Sequence, residues 1–229
     1  MSPILEARGL DYTYDDGTAA LAGVNFRLFP GETVALLGAN GSGKTTFVLR
    51  LVGLLEGAGE VVVGGVQLTR KTAALIRSKV GIVFQDSDEQ LFMPSVLEDI
   101  AFGPRNLGQS QEQALKTARQ SLEMIRLSHL ADRAPYHLSA GEKRRVALAG
   151  VLAMSPEVVI LDEPTTFLDP PSLRDLIDLL GRLPQAKILI THDIAFAKAL
   201  APRACFFERG RIVAEGKTHD IVRQFQWEL

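Results

Sequence analysis

The chain has 229 residues, 46% of them hydrophobic, with 25 Lys and Arg against 27 Asp and Glu for a net charge of −2. That is enough apolar material for a sizeable core in one domain or two closely packed subdomains, and the well-mixed charges leave no basic stripe of the kind a nucleic-acid binder shows. Cys205 is the only cysteine, which excludes an intrachain disulfide framework or a Cys-based zinc site and fits a reducing cytoplasm, and His129, His137, His192 and His219 show no metal-ligand spacing.

Met1-Ser2-Pro3-Ile4 has no basic region followed by a long apolar core, so no signal peptide is expected. No apolar run approaches the roughly 20 residues of a membrane span; the longest, Val146 to Met154, is short and rich in Ala and Gly. A soluble protein is expected, which leaves docking onto a membrane partner open.

Ile4 to Tyr14 and Val24 to Phe29 alternate apolar and polar residues and read as antiparallel strands, with Pro30-Gly31 turning the second into the next. Thr33 to Leu37 is an apolar strand that feeds Gly38-Ala39-Asn40-Gly41-Ser42-Gly43-Lys44-Thr45, and Thr46 to Leu55 is helix-like. A strand entering a glycine-rich turn that opens into a helix is the context of a phosphate-binding P-loop. The glycines let successive N–H groups face one centre, and the helix adds its positive end. Lys44 would then place a point charge on the β- and γ-phosphates, and the Thr45 hydroxyl would ligate Mg²⁺. A loop that binds nothing would not need Gly38, Gly43, Lys44 and Thr45 in this register.

Further on, Glu60 to Val63 reads as a short strand closed by Gly64-Gly65, and Val80 to Phe84 as another ending at Gln85. From Ser95 to about Met154 the character is helical; in Gln111 to Leu127, the residues Leu115, Ala118, Leu122 and Ile125 give one apolar face. Val158 to Leu161 is a buried strand and Ser172 to Leu183 a helix with Leu173, Leu176, Ile177 and Leu180 on one side. Lys187 to Thr191 is the next strand, Cys205 to Phe207 and Ile212 to Ala214 form a hairpin around Arg209-Gly210, and a last helix runs to Leu229. The expected architecture is α/β with a helical insertion between Gln85 and Val158.

The strand Val158 to Leu161 ends in Asp162-Glu163-Pro164. Beside a P-loop, Asp162 is placed to hold Mg²⁺ through water, and Glu163 to orient or deprotonate the attacking water. Two strand-end carboxylates capping the following helix would be the simpler account if the P-loop were not there. Leu138-Ser139-Ala140-Gly141-Glu142 opens a helix, and Ser139 with Glu142 also fits an S-x-x-E capping box, which explains the stretch with no ligand at all. The two readings are compatible, because a well-capped helix N-terminus with a free hydroxyl is also an anion site.

Leu138 to Pro170, with its LSAGE, VVILDEP and TTFLDP motifs, together with Gly38–Thr45 upstream and Thr191-His192-Asp193 downstream, resembles the ATP-binding-cassette ATPases over nearly the whole chain. The resemblance implies a P-loop NTPase with a mixed-sheet core, an antiparallel N-terminal β-subdomain and a helical signature subdomain. It implies one cassette over 1–229, with 1–85 and 157–229 as the core and 86–156 as the helical part. It further implies that Asn40, Gly41, Ser42, Gly43, Lys44, Thr45 and Thr46 cradle ATP, that Tyr14 stacks on adenine, and that Thr45, Gln85 and Asp162 surround Mg²⁺. By the same likeness Glu163, His192 and Gln85 are catalytic, His192 being the switch histidine on the γ-phosphate and Gln85 the sensor of Mg²⁺ and water. Ser139 and Gly141 would contact the γ-phosphate bound by the opposite protomer, and Asp169 would link the two sites across a dimer. The family's commonest signature is LSGGQ, so Ala140 and Glu142 depart from it; a changed affinity or rate is expected, with function kept.

Gln85 to Pro94 sits where such cassettes meet their membrane partner. Its three acids beside Leu91-Phe92-Met93 suit an amphipathic, basic partner helix, and an ordinary acidic loop leading into an apolar anchor is the plainer alternative. FQDSDEQLF followed by VLEDIAFGPRNLG resembles the energy-coupling-factor branch of importers. Within it the chain looks like the ATPase of cobalt or nickel uptake systems, which pairs with a transmembrane coupling protein at the cytoplasmic face of the membrane. Vitamin importers of that branch have very similar cassettes. The ion itself should not bind here, for want of a ligand cluster. A chromosome-organising ATPase would carry a long coiled coil, a translation-linked one two cassettes, and a purely regulatory module would lose Glu163 or His192. Arg211 to Leu229 resembles the usual end of a cassette without the longer extension of many energy-coupling-factor ATPases, so ATP is expected to be the main glue of the dimer.

Overall fold

A computed structural model describes residues 2–227, in two compact units. The first comprises Met1–Val80, Glu157–Glu163 and Pro184–Leu229, less the undescribed terminal residues; the second comprises Gly81–Pro156 and Pro164–Leu183.

In chain order, the first unit opens with β1 (Leu5–Thr13), β2 (Ala19–Leu28), β3 (Thr33–Leu37), α1 (Lys44–Leu51), β4 (Glu60–Val63), β5 (Val66–Gln67) and α2 (Ala73–Lys79). The chain passes through β6 (Val80–Val83) into α3 (Val96–Asn106), α4 (Gln111–Met124) and α5 (Ala140–Ala153). It then runs through β7 (Val158–Asp162), α6 (Pro170–Arg182), β8 (Ala186–Ile190), α7 (Ile194–Leu200), β9 (Arg203–Glu208), β10 (Arg211–Lys217) and α8 (Thr218–Gln224).

Two sheets build the first unit. β2-β1-β4-β5 are antiparallel, with Leu5 opposite both Leu28 and Val63. The second sheet carries the order β10-β9-β3-β8-β7, in which β9, β3, β8 and β7 run parallel and β10 returns antiparallel. Every residue of β3, β7 and β8 is buried, as strands covered on both faces must be, and their near-continuous Val, Ile and Leu follow from it. The sheet is therefore mixed and the N-terminal one antiparallel, as the sequence implied.

The second unit is helical. Val96, Ile100, Ala114, Ala118, Leu122, Val146 and Ala149 close a core between α3, α4 and α5. Each helix starts on a side chain that satisfies a free N–H: Ser95, Ser110 and Ser139 accept from the third residue on, the last two in full capping boxes. Asp169 does the same for α6, whose first residues are Pro170 and Pro171.

Some expected boundaries move. β2 starts at Ala19, five residues before Val24, because Leu21 is buried ahead of it. α1 begins at Lys44, not Thr46, and stops at Leu51, where Val52-Gly53 turns the chain. On α4 Ala114 is the buried residue and Leu115 only packs on the core's margin, and the helix stops at Met124 ahead of Arg126, whose φ is 59°. α6 buries Leu176 and Leu180, with Leu173 and Ile177 half-exposed. The last helix ends at Gln224; the expected end at Leu229 lies outside the described residues.

Arg203 of β9 ties together β10, β2 and the turn that enters β3. Its guanidinium donates to both Glu32 carboxylate oxygens at 2.7 and 2.9 Å, to Glu215 at 2.6 Å and to the Arg27 carbonyl at 2.7 Å. Burial alone would raise the Glu32 carboxyl, but Arg203 and the Phe29 N–H outweigh it and hold it below the usual range. Arg203→Ala is expected to cost about 2 kcal/mol, less than a fully buried pair because both partners keep some solvent. A depressed carboxylate contributes stability above its unfolded pKa and loses it as pH falls through the folded one. The gap between wild type and variant in urea midpoint should therefore be full at neutral pH and shrink in acid; a gap independent of pH would refute the assignment.

Candidate functional site

The glycine loop takes its shape from β3. That strand lies between β8 and β9, and its last residues hand the chain to Gly38 at a φ of 135°. A Cβ on Gly38 would stand 2.2 Å from the Phe207 carbonyl oxygen, and one on Gly43, at φ 108°, 2.5 Å from the Ala20 oxygen. Only glycine fits either place. Gly43 is also the residue from which α1 starts, so the turn and the helix N-terminus are one feature.

Lys44 is buried, and its Nζ donates to the Gly38 and Ala39 carbonyls at 2.6 and 2.9 Å and reaches Ser42 Oγ at 3.4 Å. Burial pushes this ammonium down, against the pull of Glu163 and Asp162. Thr45 Oγ1 donates to Asp162 Oδ2 at 3.2 Å, joining the loop to the end of β7. Thr46 shares a hydrogen bond with the Tyr14 hydroxyl at 2.9 Å; Tyr14 is 40% exposed, and its ring meets Tyr12 edge-on at 4.9 Å.

Glu163 follows β7 with a φ of 44°, an uncommon conformation for a side-chain-bearing residue. Its N–H is held by the Ile190 carbonyl at 2.9 Å. Its carboxylate faces His192: the His192 N–H donates to Oε2 at 3.2 Å, and the ring Nε2 lies 3.1 Å from Oε1. The same Nε2 donates to Asn40 Oδ1 at 2.8 Å, so imidazole, P-loop and Glu163 share one network. Burial pushes the Glu163 carboxyl up, and burial followed by the Lys44 charge pushes His192 down.

Asn40, Ser42, Lys44, Thr45, Thr46, Tyr14, Asp162, Glu163 and His192 are thus brought together in the first unit. Gln85, Ser139, Gly141 and Asp169 fall in the second. There Ser139 caps α5 and gives its hydroxyl to Glu142 at 2.8 Å, so the carboxylate that departs from the usual signature is bound and held low, chiefly by the Ser139 N–H. A Cβ on Gly141 would meet Ser172 Oγ at 2.7 Å, and the Ser172 N–H is held by Asp169 at 2.9 Å, so Gly141 and Asp169 share a neighbour. Gln85 is exposed just after β6.

The sequence reading missed Arg144. It is buried on α5 and donates to the Phe84 and Gln85 carbonyls at 2.5 and 2.7 Å, fastening the start of the Gln85 loop to the signature helix. The signal was an arginine in a helix otherwise headed for the core.

Among the described residues no group of three or more His, Cys, Asp or Glu could hold a metal. Thr45 and Asp162 offer two hard oxygens, which suits Mg²⁺, an ion that keeps waters and takes phosphate oxygens for the rest of its shell.

A strand–loop–helix phosphate cradle with a hydroxyl–carboxylate pair beside it defines a P-loop nucleotide-binding protein. The family model described as ABC transporter matches residues 21–166, and the chain belongs to that family: it is an ABC ATPase, of the class that hydrolyses ATP for a transporter. It is 45% identical over 226 residues to the energy-coupling factor transporter ATP-binding protein EcfA of Methanothermobacter thermautotrophicus, covering 96% of this chain and 73% of that one. Among solved structures it is similar to cbiO1 of Clostridium perfringens, part of the ABC transporter complex cbiONQ, with a TM-score of 0.87, 36% identity and 99% and 93% of the two chains covered. It is also similar to a dimeric ATP-binding cassette in a post-hydrolysis state bound to ADP and Pi, with a TM-score of 0.83, 29% identity and 93% and 98% coverage.

Gly38→Ala should cost about 3 kcal/mol or more, because the backbone oxygen it meets cannot step aside. Gly41→Ala, at φ 74° with open space around its Cα, should cost only about 1 kcal/mol. Denaturant midpoints of the two variants measure the difference, and equal losses would contradict the close approach at Phe207.

Proposed function

We propose that this chain is the ATPase of an energy-coupling-factor importer, working as a pair of cassettes with two ATP molecules held between them. The observation that carries the reading is the convergence of three sets of contacts at the loop and the strand ends: Lys44 on the Gly38 and Ala39 carbonyls, Thr45 on Asp162, and His192 with Glu163 and Asn40. Similarity to EcfA and to cbiO1 supports the importer branch.

In this reading Asn40 to Thr46 bind the phosphates and Tyr14 stacks on the adenine. Lys44 leaves the Gly38 and Ala39 carbonyls for the β- and γ-phosphates. Thr45 and Asp162 would hold Mg²⁺, which would supply charge neutralisation for the phosphates, and Gln85 is read as its sensor. Glu163, its carboxyl raised by burial, takes the proton of the attacking water, and His192 contacts the γ-phosphate. Ser139 and Gly141 of the partner cassette close the site from across the interface, and Asp169 couples the two sites. ATP thus favours the closed pair and hydrolysis reopens it.

The Gln85–Pro94 segment receives a transmembrane coupling protein at the cytoplasmic face of the membrane. Among the described residues no helix is long and apolar enough to cross the membrane itself. Cobalt or nickel is the substrate we propose, because within that branch a compact chain of this kind looks like the ATPase of cobalt or nickel uptake; a vitamin is the second reading, since vitamin importers of the branch have very similar cassettes. The partner cassette is a second copy or a close relative.

Glu163→Gln is expected to cut ATP hydrolysis by a factor of about 10² or more and to elute as a dimer with ATP; a monomer that fails to hydrolyse would count against the closed-pair mechanism. In membranes with the co-purifying multispan protein, ATP-dependent uptake of Co²⁺ or Ni²⁺ is expected. Uptake of a vitamin instead would remove the metal and leave the cassette assignment standing.

A further inference from the structure

His192 has a second neighbour that the phosphate chemistry does not use. The Trp227 indole lies with its centroid 6.2 Å from the imidazole, the planes inclined by 32°. Trp227 is held there by other aromatics of the same unit. Its ring meets Phe206 edge-on at 5.1 Å, and Phe206 stacks on Phe225 at 3.8 Å with the planes 4° apart. Its N–H donates to the Val222 carbonyl at 3.0 Å, which folds the chain back after α8. Phe206 lies on β9, in register opposite Leu37, the last residue before the glycine loop. The aromatic group is therefore braced on the strands that carry the P-loop.

The imidazole is bounded by Asn40 and Glu163 at Nε2 and by the indole at the ring. An exposed histidine side chain samples several rotamers, and one that must meet a phosphate loses rate with each that misses it. A wide, stiff indole beside the ring removes rotamers at little entropic cost of its own. We infer that Trp227 is a positioning residue for His192, holding the imidazole where it meets the γ-phosphate. This rests on the role proposed for His192 above.

Trp227 is the only tryptophan, so its emission reports on the surroundings of this one indole. Trp227→Ala should lower kcat for ATP about tenfold with KM within twofold, and Trp227→Phe should restore most of the loss. Binding of MgATP to the Glu163→Gln protein should change Trp227 emission, and His192→Ala in that background should abolish the change. If Trp227→Ala lowers the denaturant midpoint, the Phe variant and the emission change decide. Full kcat in Trp227→Ala beside an inactive His192→Ala overturns the positioning role and leaves the site reading intact. A fully active His192→Ala overturns the site reading itself. An emission change that survives the loss of His192 also overturns the inference.

Discussion

Gly38 passes the Phe207 carbonyl so closely that a Cβ would come within 2.2 Å of its oxygen, and the strand order β8-β3-β9 sets up that approach. Everything in the first unit's site follows from it. The loop can be this tight only because β3 is buried on both sides, and β3 is buried because β8 and β9 flank it in register with Val34, Ala35 and Leu36. The same parallel order puts the C-terminal ends of β3, β7 and β8 side by side. Asp162, Glu163 and His192 therefore arrive at the loop from strand ends, where ligand sites of open parallel sheets lie.

Once seated, the loop must hold a buried ammonium. Lys44 meets this with its own backbone, on the Gly38 and Ala39 oxygens, while Glu163 and Asp162 supply opposite charge nearby. This arrangement is complete yet exchangeable, since carbonyls are weaker partners for an ammonium than phosphate oxygens are. Glu163 and His192 are likewise tied to each other and to Asn40. In the proposed role, a polyanion entering here would trade the carbonyl contacts of Lys44 for stronger ones.

The strand-to-turn features were legible because their chemistry is local. Gly38 to Thr45 and Asp162-Glu163 are each read from a few neighbouring residues, and so is the capping box at Ser139, whereas His192 came with the family resemblance. Arg144 and Arg203 were not legible, because all their partners but Glu215 lie 59 to 176 residues away and no period marks them. The helices α2 and α7, seven residues each, are too short to show an apolar stripe. Leu115 was misplaced because a larger side chain outweighs Ala114 in any pattern, although the close approach of α4 to its neighbours favours the smaller one.

Arg144 also bears on how the second unit works. Ser139 and Gly141 stand at the start of α5, and Arg144 of the same helix grips the Phe84 and Gln85 carbonyls. Lys143, next to it, pairs with Asp88 at the middle of the acidic loop. The signature motif and the proposed docking loop are therefore fastened to one rigid helix, by one buried and one partly buried cation. A displacement of that loop has to move α5, whose Val146 and Ala149 lie in the core with α3 and α4, or break three charge-assisted contacts. The start of α5 and the Gln85–Pro94 loop are thus joined directly within the second unit.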